Sequence, residues 1–138
     1  MNYLVDTNVI SELVSARANP QVLAWFEQIP TNAVFLSVLT IGEIRKGVER
    51  VENKTRKNRL LIWLEHDLIE MFDTRILTIS AEVADRWGRL QYHVGRTLPA
   101  IDSLIAATAL HHDMVLVTRN IADFTNCPGL ELINPWND

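Results

Sequence analysis

Tyr3-Leu4-Val5-Asp6-Thr7-Asn8, set beside Val115-Leu116-Val117-Thr118-Arg119-Asn120, decides the fold. Each stretch opens on three apolar residues, the signature of a strand buried on both faces. Each then stops at once on polar side chains. Val34–Leu36, Ile76–Ile79 and Leu130–Ile133 are further strand candidates. The segments between them carry helical spacing. Asn8 can cap a helix over roughly Val9–Ser15, with Ile10, Leu13 and Val14 inward. Pro20 suits the first turn of a second helix that ends near Ile29-Pro30.

Ser37 caps a third helix, with Val38, Ile41, Ile44, Val48 and Val51 on one face. After the break at Asn53-Lys54, Leu60, Leu61, Leu64, Leu68 and Ile69 mark a long helix. These two are expected to form a hairpin standing off the sheet. Ser80 caps a helix carrying Val83, Ala84, Trp87 and Leu90, stopped at Gly95; Pro99 opens a very apolar one, Ala100–Leu110. Short apolar strands alternating with helices predict an α/β fold, a parallel sheet of four to five strands covered on both faces. In such sheets ligands collect beyond the carboxyl ends of the strands.

Four carboxylates stand out against this frame. Asp6 and Asp123 follow strands, while Glu43 and Asp102 interrupt apolar helical patterns. An aspartate after a strand also serves as a helix cap or turn former, but Asn8 can cap, which leaves Asp6 spare. Glu43 sits at the edge of the Ile41, Ile44, Val48 stripe, where a solvated glutamate is the ordinary outcome. Its neighbour Gly42 would permit close approach of a backbone or substrate. Asp102, in a first helical turn, interacts favourably with the helix dipole by about 0.3–1 kcal/mol. Asp123 lies in a polar loop, Thr118–Phe124, of the kind where function concentrates. Glu12, one turn after Asn8, is a further residue able to face the same pocket. Four carboxylates brought together are costly to desolvate unless compensated, and a hard divalent cation with oxygen ligands compensates them. The residues thus predict a metal-dependent hydrolase of phosphodiesters.

Composition bounds the rest. The 138 residues fit one domain, residues 1–138, and a hydrophobic fraction of 48% supplies one core. The net charge of -4 runs against nucleic-acid binding. However, seven of the 13 basic residues lie between Arg45 and Arg59, and setting the four acids aside leaves 13 acids against 13 bases. The single cysteine, Cys127, excludes an intrachain disulfide and suits a reducing cytoplasm. No apolar run is long enough to span a bilayer, and the N-terminus lacks a signal-peptide pattern. The four histidines and Cys127 lack zinc-ligand spacing, and neither a phosphate-binding glycine loop nor a serine nucleophile elbow is present.

Four blocks together carry a family resemblance: Leu4–Glu12, Ile41–Gly47, Leu98–Ala107 and Thr118–Phe124, with Asn134-Pro135-Trp136 at the end. The chain resembles the PIN domain ribonucleases, most closely the VapC toxins of bacterial toxin–antitoxin pairs and their FitB-like branch. The resemblance implies a PIN-like three-layer α/β/α domain with a protruding helical hairpin. It implies an acidic pocket holding Mg²⁺ or Mn²⁺ and endonucleolytic cleavage of RNA, tRNA or another structured RNA, in a type II VapBC system that inhibits translation. It implies a homodimer, a cognate VapB-type antitoxin and a higher toxin–antitoxin assembly.

On this reading Asp6, Glu43, Asp102 and Asp123 are catalytic. Asp6, Asp102 and Asp123 ligate the metal, and Glu43 does so directly or through water. Thr7, Asn8, Thr118 and Asn120 orient ligands and waters, while Arg45 and Lys46 steer the RNA backbone. A solvated helical hairpin is the competing account of that basic stretch. The rival from another class is a non-catalytic module whose acidic pocket docks a basic peptide. A phosphohydrolase with Asp6 as nucleophile is disfavoured, because Asn8 stands where a second aspartate belongs.

Overall fold

A computed structural model of the chain describes residues 1–137. The strands are β1 (Tyr3–Val5), β2 (Val34–Ser37), β3 (Ile76–Leu77), β4 (Val115–Val117) and β5 (Leu132–Ile133). All pair in parallel, in the order β3-β2-β1-β4-β5. The terminal strands are two residues each, shorter than the apolar runs that announced them. Alternation along the strands divides the core. Val5, Val34, Leu36 and Val117 face one side; Leu4 and Leu116 face the other.

On the first side pack α1 (Thr7–Glu12), α2 (Pro20–Gln28), α3 (Val38–Glu49), α4 (Lys54–Ile62) and α5 (Ile69–Phe72), through Val9, Val22, Ile44, Val48 and Phe72. On the second lie α6 (Ala81–Val94), α7 (Ala100–His111) and α8 (Ile121–Phe124), through Leu90, Ile105, Ala106, Ala109 and Phe124. The result is three layers, α/β/α. None of the helices is long and apolar enough to cross a membrane among the described residues.

The local signals explain the boundaries. Ser37, Asn19, Asn53 and Ser80 each accept a hydrogen bond from a backbone N–H of the helix they open. Gly95 ends α6 with φ of 76°, a left-handed turn that glycine makes without strain.

Between α4 and α5 the chain runs as a π-helical segment, Trp63–Leu68. The wider turn keeps Leu64, Leu68 and Phe72 buried at four-residue intervals. Ile69, expected inward, is displaced from that row and is 39% exposed. The hairpin of α3 and α4 presents a charged outer face. There Arg45 pairs with Glu49 at 3.0 Å and Glu65 at 2.8 Å, and Lys57 with Glu49 at 3.6 Å.

Candidate active site

The strand order reverses direction at β1: the chain goes from β1 to β2 on one flank and later returns to place β4 on the other. The carboxyl ends of β1 and β4 are therefore the switch point, where open α/β sheets form their crevice. The register pairs Val5 with Val117, so Asp6 and Thr118 emerge side by side. The Asp6 backbone N–H donates to the Val117 carbonyl at 2.9 Å, and the Thr118 hydroxyl donates to Asp6 Oδ2 at 2.8 Å. Thr118 is wholly buried and Asp6 is 4% exposed.

Asp6 is itself the cap of α1, its Oδ1 accepting from the Thr7 backbone N–H at 2.8 Å. The expectation that Asn8 caps this helix is corrected. The helix starts at Thr7, placing Asn8 inside the first turn, and Asn8 Oδ1 instead accepts the Arg119 N–H at 3.3 Å. Asn120 donates its backbone N–H to Thr118 Oγ1 at 3.1 Å. Thr118 thus joins Asp6 to the loop that follows.

From α3, Glu43 leans toward the same end of the sheet. The Thr7 hydroxyl donates to Glu43 Oε1 at 2.6 Å and lies 3.2 Å from the Thr40 hydroxyl. Thr40 is completely buried and escaped the sequence reading. Its signal was a small polar residue three positions before Glu43, on the same helix face. A Cβ added at Gly42 would meet nothing within 4 Å, so no part of the protein requires glycine there. Glu12 turns away from the pocket and accepts the Asn19 N–H at 3.1 Å, tying down the loop before α2.

Asp102, half-buried, comes from the first turn of α7. That turn is clasped from α6. Ser103 Oγ accepts from Trp87 Nε1 at 2.8 Å and from Gln91 Nε2 at 3.0 Å. Gln91 also bonds both the carbonyl and the N–H of Leu98, at 3.2 and 3.1 Å. Trp87, Gln91 and Ser103 were not read from the sequence as site residues. Asp123 is exposed, in the first turn of α8. The segment expected as an open loop closes into this four-residue helix, whose Phe124 reaches the second core.

The electrostatics join these positions. Burial pushes the Asp6 carboxyl above its ordinary range; the bonds from Thr118 and Thr7 pull it down, and Glu43 and Asp123 push it up further. Burial also raises Asp102, and Asp6, Glu43 and Asp123 raise it more. Four acids from four distant segments therefore lie within electrostatic reach of one another. Among the described residues, however, no three His, Cys, Asp or Glu side chains close around one point. The donor set is all oxygen, the set a hard divalent cation takes, and Asp6 is anchored in place by two bonds.

A groove of about 280 Å³ leaves Glu43 between α1, α3 and α4, past Val14, Val51, Leu60 and Trp63. A larger depression of about 410 Å³ lies at the opposite, amino ends of the strands, by Met1, Asp113 and Glu131, far from the acids. Arg45 and Lys46 point along the exposed face of α3, Arg45 already engaged by Glu49 and Glu65.

The chain belongs to the PIN domain family: the family's model matches residues 3–127, and the three-layer fold around a parallel five-stranded sheet is that family's. The chain is 35% identical to the protein named Toxin FitB from Neisseria gonorrhoeae, covering 98% of this chain and 99% of that one. It is 31% identical to VapC ribonuclease Y4jK from Sinorhizobium fredii, over 96% of each chain. The crystal structure of FitAcB from Neisseria gonorrhoeae matches with a TM-score of 0.92 at 34% identity, covering 99% of both chains.

Proposed function

We propose that this chain is a metal-dependent endoribonuclease toxin of a VapBC-type pair. Asp6, Asp102 and Asp123 would hold Mg²⁺ or Mn²⁺, with Glu43 as a direct or water-mediated ligand. The observation that carries this reading is geometric: the ends of β1 and β4 together with α3 bring Asp6, Thr118, Thr7 and Glu43 into one hydrogen-bonded set at the carboxyl end of the sheet. Acids gathered at one sheet end repel one another, and a hard divalent cation relieves that repulsion. The naming of one relative as a VapC ribonuclease supports the same chemistry.

Such an ion, when bound, makes hydroxide available near neutral pH and offsets charge developing on a phosphoryl oxygen. The chain's own groups prepare that ground. Thr118 and the Thr7 N–H fix the Asp6 carboxylate in one rotamer, and the Thr7 hydroxyl does the same for Glu43. Asn8 and Asn120 hold the Thr118–Asn120 turn against β1. Hydrolysis in line would leave a 5′-phosphate and a 3′-hydroxyl.

The substrate would be tRNA or another structured RNA, steered by Lys46 and less by the already paired Arg45, and its cleavage would stop translation in the cytoplasm. A chain with that activity needs a silencer in its own cell. A VapB-type antitoxin and assembly as a homodimer complete the proposal.

Incubation of the purified chain with structured RNA tests it. Defined cuts with Mn²⁺, none with a chelator, and none from Asp6→Asn or Asp102→Asn are expected. Cleavage that survives the chelator, or either variant, refutes the metal reading. Tight binding of a basic peptide without any cleavage favours the docking module instead.

A further inference from the structure

Arg119 is exposed, yet the fold fixes it at three points. Its backbone N–H donates to Asn8 Oδ1 at 3.3 Å, and its carbonyl accepts from Asn134 Nδ2 at 3.5 Å. Its guanidinium carbon lies 4.9 Å from the centre of the Trp136 ring. Trp136 is placed in turn: Pro135 is buried and the Trp136 N–H donates to Asn134 Oδ1 at 2.9 Å. The C-terminal Asn134-Pro135-Trp136 segment therefore folds back across the end of β4 and carries the arginine head on an indole face.

The position makes this arrangement unusual. Arg119 follows Thr118, whose hydroxyl holds Asp6. A mobile guanidinium beside an acidic pocket would fall onto a carboxylate. Among the described residues Arg119 pairs with no carboxylate and meets the indole instead. The indole face engages the cation at the Asn134–Trp136 segment. A cation–π contact uses none of the guanidinium N–H donors, so the fork that matches a phosphate is left to a ligand.

We propose that Arg119, seated on Trp136, binds a backbone phosphate of the RNA next to the one being cut, and that Asn134–Trp136 is its mount. This rests on the ribonuclease reading above. It assigns substrate positioning to a residue on the rim of the pocket and to the last turn of the chain.

The test is the binding of a fluorescein-labelled structured RNA, a stem with a single-stranded loop, read by anisotropy across a salt series with chelator present, beside a cleavage gel and steady-state kinetics in Mn²⁺. Arg119→Gln is expected to weaken binding about tenfold, as loss of one charge-assisted pair does. It should flatten the dependence of log affinity on log salt by about 0.7, the increment for one single-strand phosphate. In the kinetics KM rises with kcat held within about twofold.

Trp136→Ala should lose about threefold in affinity and Trp136→Phe almost nothing. Thermal midpoints of Arg119→Gln and Trp136→Phe should stay within about 2 °C of the parent. If the parent binds and cuts RNA while Arg119→Gln matches it in affinity and salt slope, this inference falls and the nuclease reading stands. If Arg119→Gln loses binding only together with several degrees of stability, the residue is structural and the inference falls. If the parent neither binds nor cuts, the nuclease reading fails and takes this inference with it.

Discussion

Replacing Thr118 with valine preserves shape in a wholly buried place and removes one hydroxyl. That hydroxyl donates to Asp6 Oδ2 at 2.8 Å and accepts the Asn120 N–H at 3.1 Å. Asn120 is exposed, so its N–H turns to water at little cost. Asp6 has no such recourse, and a hydrogen bond to a charged group is worth about 1.5–3 kcal/mol. For a chain of this size that corresponds to a fall in melting temperature on the order of 5–10 °C at pH 8.

The sign with pH follows from linkage. The hydroxyl favours the ionised carboxylate, so its contribution is complete above the Asp6 pKa and fades as pH falls through it. Because burial holds that pKa above the ordinary aspartate range, the fading begins at a higher pH than an exposed aspartate would give. Urea unfolding of parent and variant at steps from pH 8 to pH 4 measures it. The gap should narrow by about half in acid, where a neutral hydrogen bond of about 1 kcal/mol is all that remains to lose. RNA cleavage should drop about 10–100-fold at neutral pH, the usual effect of losing a partner that orients a ligand. Thr118→Ser keeps the hydroxyl and should show a constant, smaller gap. A Thr118→Val protein as stable as the parent at pH 8, or a gap that does not change with pH, refutes the account of Asp6.

Asp102→Asn removes a carboxyl whose folded pKa is raised by burial and by three acids. Its ionised form works against the fold above that pKa, so the chelated variant should melt above the parent at neutral pH, and the difference should close on acidification. Added Mn²⁺ should raise the parent's midpoint and leave the variant's where it is, by differential scanning fluorimetry. Ser103→Ala takes the shared acceptor from Trp87 and Gln91 and should cost about 1–2 kcal/mol in urea unfolding, with weaker Mn²⁺ stabilisation because Asp102 loses its support. Asp123 is exposed, so Asp123→Asn should leave stability within about 0.5 kcal/mol while cleavage in Mn²⁺ falls at least about 100-fold.

The strands were legible because a strand buried on both faces has to be apolar, and Tyr3–Val5 and Val115–Val117 have no other use for such runs. Helix starts at Ser37, Ser80 and Pro20 were legible for the same local reason: the cap chemistry lies in the residue itself. The acids stood out by their discord with apolar surroundings. What escaped was whatever depends on partners far along the chain. Asn8 and Asp6 are equally good caps on paper, and pairing of β1 with β4 decides between them by fixing Asp6 against Val117. Thr40 and Ser103 look like ordinary small residues until Thr7 and Trp87 are brought to them. The π-helical turn at Trp63–Leu68 depends on how the hairpin reaches the sheet, which no local preference encodes.

The bond between Thr118 and Asp6 joins residues 112 apart in sequence. A ribosome releases the chain from its first residue onward, so Asp6, Glu43 and Asp102 all emerge before the strand that pairs with β1 to finish the pocket. A nascent polypeptide halted at Met114 carries three of the four acids but neither Thr118 nor Asp123. On the proposed nuclease reading, biosynthesis finishes the blade last, after nearly all of its handle, and a chain cut short before β4 lacks part of its edge.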